Sequence, residues 1–166
     1  MSTLGQAWVD AWNSHDAEAV ASLYTEDATL EAMGAGPLFA IQGHDAFKAM
    51  VKALHQFSND SKVTLVSELV SGDRFVIEFV ETATNTGKIG RGTPPTNQRY
   101  TCPGVAIGRL DSSGRIREER DYEDRLTSSC SLGLSKTRWH SNWINDHPGR
   151  AGPVRRSPRL GLPKLP

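Results

Sequence analysis

Between Lys62 and Asp124 the chain carries four strand-length segments in a row, and every helix-period segment of its body lies in front of them. Lys62 to Ser71 alternates loosely, and Gly72-Asp73 turns it into Arg74 to Thr84. A Gly- and Pro-rich loop, Gly87 to Asn97, leads into a long strand from Arg99 to Leu110. Asp111 to Gly114 forms a tight turn, and Arg115 to Asp124 is the last strand. Helices first and strands after argue for an α+β domain, with helices on one face of a curved antiparallel sheet. The concave side of such a sheet is where a ligand sits.

In front of the strands, Leu4, Ala7, Trp8, Ala11 and Trp12 recur at helical spacing. Ser14-His15-Asp16 interrupts that pattern, and Asp16 caps a second helix from Ala17 to about Tyr24, with Val20, Leu23 and Tyr24 as its buried stripe. Thr25-Glu26-Asp27 reads as a turn, Ala28 to Met33 as a short strand, and Gly34 to Pro37 as loop. A third helix follows Gly43, where His44-Asp45 offers a cap, and Phe47, Met50, Val51, Leu54 and Phe57 fall on one face of it.

Charge separates two kinds of sequence. Residues 1–126 hold 12 basic against 18 acidic side chains, whereas residues 127–166 hold seven against one. Five of the nine prolines fall in the last 19 residues, where apolar periodicity is absent. The expected organisation is one α+β domain over 1–126 and a basic, Pro/Arg-rich, poorly ordered tail over 127–166. In that tail Trp139 and Trp143 stand at i, i+4 on a turn or two of helix. It offers neither an aromatic platform nor an amphipathic face, so no nucleic-acid or membrane partner is expected.

No segment approaches the roughly 20 apolar residues of a membrane helix, and Met1 to Val9 lacks the features of a secretory signal. The expected location is cytoplasmic. Cys102 and Cys130 read as plain thiols, and five scattered histidines assemble no three-ligand metal cluster. His55 reads as solvent-facing, and His15 and His44 as neighbours of helix caps. No Ser-His-Asp elbow or phosphate-cradling loop is present.

Two stretches carry a family resemblance. The first runs Glu78-Phe79-Val80-Glu81-Thr82-Ala83-Thr84-Asn85-Thr86-Gly87, followed by Gly92-Thr93-Pro94-Pro95-Thr96-Asn97. The second is Gly114-Arg115-Ile116, then Arg120-Asp121-Tyr122-Glu123-Asp124, then Leu132-Gly133-Leu134. Together with Trp12, Asp16 and Leu23-Tyr24-x-x-Asp27, they resemble the SnoaL-like polyketide cyclases of the nuclear transport factor 2-like superfamily, over roughly residues 4–134. The resemblance implies a cone-shaped α+β fold with three N-terminal helices around a pocket. It also implies cofactor-free acid–base chemistry on a small hydrophobic, polyketide- or terpenoid-like metabolite, and a homodimer formed through the open sheet face. Three positions depart from the pattern: Ala83 and Asn85 replace the Gly and His of Gly-Thr-His, and Asn97 replaces the Gly of Pro-Pro-Thr-Gly. The polar run Leu126 to Ser131 stands where the family has an apolar helix. No imidazole mechanism carries over.

The resemblance makes Asp121 the first candidate for the acid/base; a surface carboxylate paired with Arg117 or Arg120 is the alternative. In a regular strand with Ile116 facing the core, Asp124 points inward and Asp121 outward, and a bulge between them reverses that choice, so both remain candidates. A carboxyl in an apolar pocket has its pKa raised toward neutrality and can move a proton from a carbon α to a carbonyl. Asn85 is a candidate oxyanion donor or a turn cap. Glu81 is a second pocket carboxylate or the partner of an arginine. Tyr122 is a substrate ligand or packing, and Trp12, like Trp8, lines the pocket or the core.

Two rivals accompany the isomerase or cyclase reading. An epoxide hydrolase of the same fold is disfavoured by Phe79, where that family has an arginine, although Glu81 with Asp121 leaves a two-carboxylate variant open. A non-catalytic ligand-binding or interaction module is the rival from a different class.

Overall fold

The computed structural model describes residues 2–33, 39–88, 94–124 and 132. The tail over 127–166 lies outside the described residues except for Leu132, as do the Gly34–Pro37 loop and Cys130. The elements are α1 (Leu4–Asn13), α2 (Ala17–Ser22), β1 (Tyr24–Met33), β2 (Phe39–Gln42), α3 (His44–Phe57), β3 (Lys62–Ser71), β4 (Arg74–Thr84), β5 (Arg99–Leu110) and β6 (Ile116–Glu123). The six strands form one curved sheet in the order β2-β1-β6-β5-β4-β3. Every pairing is antiparallel except β1 with β6, which is parallel.

Local chemistry sets the helix boundaries. The Thr3 hydroxyl accepts from Gln6 N at the start of α1, and the Asp16 carboxylate accepts from Glu18 N at the start of α2. Between them His15 takes a left-handed φ of 56°, which lets the chain reverse within three residues. The expected cap of α3 is corrected: neither His44 nor Asp45 caps it, and Gly43 (φ 82°) occupies the N-cap with no side-chain bond.

Two further expectations are corrected at β1. The strand begins at Tyr24, so Thr25-Glu26-Asp27 lies within it where the register against β6 shifts between Tyr24 and Thr29. The four-residue β2 then pairs with the second half of β1, bringing Gln42 opposite Thr29.

The inner face of the sheet and the helices close on one core. Trp8, Val20, Tyr24, Leu30, Phe47, Phe75, Ile77, Phe79 and Ile116 are all buried there. Fully burying a side chain of the size of Phe47 contributes about 1.5–3 kcal/mol. On α3 the buried stripe is Phe47 and Val51, whereas Leu54 is 49% exposed. Phe57 instead packs on a second cluster of Ala83, Tyr100, Cys102 and Leu132 at the other end of the sheet.

Candidate active site

The orientation of the last strand decides which acid enters the core. Leu110 pairs with Ile116 but Arg109 pairs with Glu118, so Arg117 is an extra residue and β6 is bulged there. Inward-facing positions change parity at that point. Ile116, Glu119 and Asp121 all face the core, with exposures of 0%, 1% and 8%. Asp124, which a regular strand would have buried, lies exposed beyond the end of β6.

Gly108 makes room for the bulge. A Cβ there would overlap the Glu118 carbonyl oxygen and come within 2.8 Å of the Phe75 ring. Gly104 plays the same part for Phe79, whose Cζ would lie 2.5 Å from an added Cβ. Across the sheet, Asp121 stands between Ala32 on β1 and Ala106 on β5. The acid is therefore flanked by small side chains, with aromatic rings on either side of its row.

A hydrogen-bond chain of fixed direction ends on Glu119. The Trp8 indole N–H donates to Tyr24 Oη (3.3 Å), and the Tyr24 hydroxyl donates to Glu119 Oε2 (3.0 Å). An indole can only donate, so the phenol oxygen accepts from Trp8 and sends its own proton to the carboxyl. The other oxygen, Glu119 Oε1, is buried with no hydrogen-bond partner among the described residues. Asp121 and Trp8 are also within hydrogen-bonding reach of Glu119. Two carboxyls buried on one face disfavour each other's ionisation.

The electrostatics follow. Burial pushes the Glu119 carboxyl up from 4.5 to about 7, against the opposing hydrogen bonds of Tyr24, Asp121 and Trp8. Burial, and next the two nearby acids, hold the Tyr24 hydroxyl well above its usual range, so it stays a donor. A group poised near neutrality beside a second carboxyl can both give and take a proton at working pH.

The other candidates lie elsewhere. Asn85 is fully buried but occupied: its Nδ2 donates to Gly87 O (2.8 Å) and Phe57 O (3.4 Å), and its Oδ1 accepts from Thr96 N (2.8 Å). These bonds tie down the loop after β4 and leave no donor for an oxyanion. Tyr122 is 44% exposed, on the face opposite Asp121. Glu81 accepts from Ser61 Oγ (2.6 Å) and faces Cys102 across the β4–β5 pair, near the second cluster. There Tyr100 bonds Ser58 (3.1 Å), and burial followed by Glu81 raises its hydroxyl. Trp12 packs against the core beside Trp8, ring centroids 5.6 Å apart. His55, expected to face solvent, has a buried Nδ1 and stacks on His15 at 4.5 Å.

An open groove of about 890 Å³ runs past Thr25, Asp27, Gln42, Asp111 and Arg117 on the outside, and neither Glu119 nor Asp121 lines it. No cluster of three or more metal-ligating side chains occurs among the described residues.

Three participants were not singled out from sequence as chemical groups: Glu119, Tyr24 and the indole N–H of Trp8. For Glu119 a signal existed, because a residue two positions before Asp121 shares its face whatever the register. Tyr24 and Trp8 meet Glu119 only through the tertiary fold.

Comparison with known proteins agrees with this architecture. The sequence model of the SnoaL-like domain family matches residues 6–119. None of the curated proteins compared matches the chain. Among solved structures, a Catenulispora acidiphila protein with a ketosteroid isomerase-like fold, solved with trimethylamine, is 18% identical, with a TM-score of 0.68 over 81% of this chain and 95% of its own. TsrD from Streptomyces laurentii is 20% identical, with a TM-score of 0.67 over 80% of this chain and 93% of that one. IdmH from Streptomyces antibioticus, a candidate polyketide cyclase, is 24% identical, with a TM-score of 0.63 over 77% and 94%. These likenesses establish the fold.

Proposed function

The chain belongs to the SnoaL-like domain family, and from that premise we propose that it is a cofactor-free acid–base isomerase or cyclase acting on a small hydrophobic, polyketide- or terpenoid-like metabolite. The observation that carries this reading is the buried pair of Glu119 and Asp121 on the inner face of β6. In the proposed reaction Asp121, as carboxylate, takes a proton from the carbon α to a carbonyl. The electron pair of that C–H bond moves onto the carbonyl oxygen as an enolate. In an isomerisation the proton returns at another carbon. In a cyclisation the enolate carbon bonds to a second carbonyl carbon of the same molecule, and the resulting alkoxide takes up the proton. Glu119, which titrates near neutrality, supplies or stores that proton. Apolar walls would hold the two ends of the molecule together and lower the entropic barrier.

The test uses two enolisable probes, 2-tetralone and benzoylacetone, in deuterated buffer, with α-hydrogen exchange followed by NMR. The protein is expected to accelerate exchange, and Asp121→Asn is expected to abolish the acceleration. Equal rates for the protein and Asp121→Asn would sink the acid–base reading and favour a binding module.

Two accompanying proposals concern the molecule as a whole. The outer sheet face exposes Leu69, Val76 and Tyr122, which supports a homodimer built on that face; Val76→Asp should then halve the mass seen in sedimentation. Cysteine is scarce, two residues in 166, which suits an intracellular chain and supports a cytoplasmic location. No helix among the described residues is long and apolar enough to cross a membrane.

A further inference from the structure

Trp8 and Trp12 sit side by side on α1, yet their indole N–H groups have different fates. That of Trp8 is spent on Tyr24. That of Trp12 is buried and has no hydrogen-bond partner among the described residues. A buried donor without an acceptor is costly, and an indole cannot escape by rotating a proton, because its N–H direction is fixed by the ring. The ring itself is held, packed on the core cluster and 5.6 Å from Trp8. Trp8 in turn lies 5.0 Å from Phe79 and reaches the Tyr24–Glu119 chain. This aromatic-walled interior therefore holds an unmet donor, the Trp12 N–H.

We infer that Trp12 is the hydrogen-bond donor that holds the carbonyl oxygen of the substrate, which makes that substrate a neutral ketone or similar sp² oxygen compound. The inference rests on the reading of the interior as a substrate chamber. The strong acceptors an indole N–H can meet are oxygen and nitrogen lone pairs. A carboxylate would meet the acids of β6, and an ammonium has no lone pair with which to accept the indole N–H, so the accepting group is neutral. A carbonyl fits both requirements, and a donor on its oxygen favours the enolate that develops when the α-proton leaves.

The experiment compares 2-tetralone with tetralin, the same bicycle without oxygen, in protein labelled with ¹⁵N at its four tryptophans. The Trp12 indole signal is assigned by Trp12→Phe, or by elimination from the other three. Binding of 2-tetralone should move the Trp12 indole proton downfield, and tetralin should not. Trp12→Phe should weaken 2-tetralone roughly tenfold, the share of one buried hydrogen bond, and change tetralin binding by no more than about twofold. The same variant should match or exceed the parent in Tm, because it removes an unmet donor.

Equal indole shifts with the two probes, or equal weakening of both, would overturn the assignment and leave Trp12 as wall. The two readings separate in the Asp121→Asn variant. An indole shift that persists there, with no Asp121-dependent exchange in the parent, keeps the donor and removes the acid–base mechanism. Asp121-dependent exchange without a specific shift does the reverse. If neither probe binds, the interior is no chamber and both readings fall.

Discussion

Replacing Glu119 with Gln should remove a pH-dependent instability that the wild-type fold carries. The side chain is about isosteric, and its amide oxygen can still accept the Tyr24 hydroxyl proton that now goes to Oε2. What changes is ionisation. In the folded protein the carboxyl titrates near 7, against 4.5 for an unperturbed glutamate. Between those values the native state holds a proton that the unfolded chain has released, so stability falls as pH rises. The contribution is fully present below 4.5 and is lost as pH rises through about 7. At 1.36 kcal/mol per pH unit, the loss between pH 5 and pH 8 is roughly 2–3 kcal/mol.

Urea unfolding of both proteins at intervals from pH 5 to pH 8 gives the difference directly, since the histidines are common to the two chains and cancel. The carboxyls that hydrogen bonds hold below their usual range, Asp60 and Asp111, lose that stabilisation only in more acid solution. Glu119→Gln should match the wild type at pH 5 and exceed it by roughly 2 kcal/mol at pH 8. Parallel stability profiles across that range would show that burial does not disfavour the Glu119 anion, and the account of the pair would fail.

Gly108→Ala should cost about 1–3 kcal/mol, because a methyl group there meets both the Glu118 carbonyl and the Phe75 ring; an unchanged urea midpoint would refute the tight packing at the bulge. Tyr24→Phe deletes the donor that favours ionised Glu119, so the carboxyl should titrate above 7 in a ¹³C NMR titration, and a downward move would contradict the chain. Asn85→Ala should lower stability by about 1–3 kcal/mol through the orphaned Thr96 and Gly87 groups. It should leave 2-tetralone exchange unchanged, and a selective loss of exchange at full stability would return Asn85 to the site.

Most of the fold was legible because it rests on local periodicity. Trp8 and Trp12 on α1, Phe47 and Val51 on α3, and the alternation through Phe75, Ile77 and Phe79 all announce their faces at spacings of four or two residues. What was not legible depends on distant partners. The polar run Thr25-Glu26-Asp27 looks like a turn, but it is drawn into a strand by β6, where Ile116 N bonds Leu23 O at 2.9 Å. The four residues of β2 are too few to show a period and exist as a strand only against β1. Asn85 reads two ways in the sequence because its partner, the Thr96 N–H on its side-chain oxygen, lies eleven residues further on.

The site was hidden for a sharper reason. Because side chains alternate along a strand, one extra residue exchanges the two faces, and no pattern within Ile116 to Asp124 says whether such a residue is present. The information lies on the neighbouring strand. A side chain at position 108 would collide with the backbone of the bulge, and glycine is what stands there. The same pairing sets Arg109 opposite Glu118 and leaves Arg117 over. The identity of the acid in the core is thus fixed jointly by β5 and β6, and so is the company it keeps. Once Asp121 turns inward, Glu119 must follow two residues before it, and Tyr24 and Trp8, delivered by the N-terminal segment, make that second burial tolerable. A buried acid pair is expensive for a fold to keep; here glycine, tyrosine and tryptophan from three separate elements are all arranged to keep it, which is why the chemistry of this chain is best sought at β6.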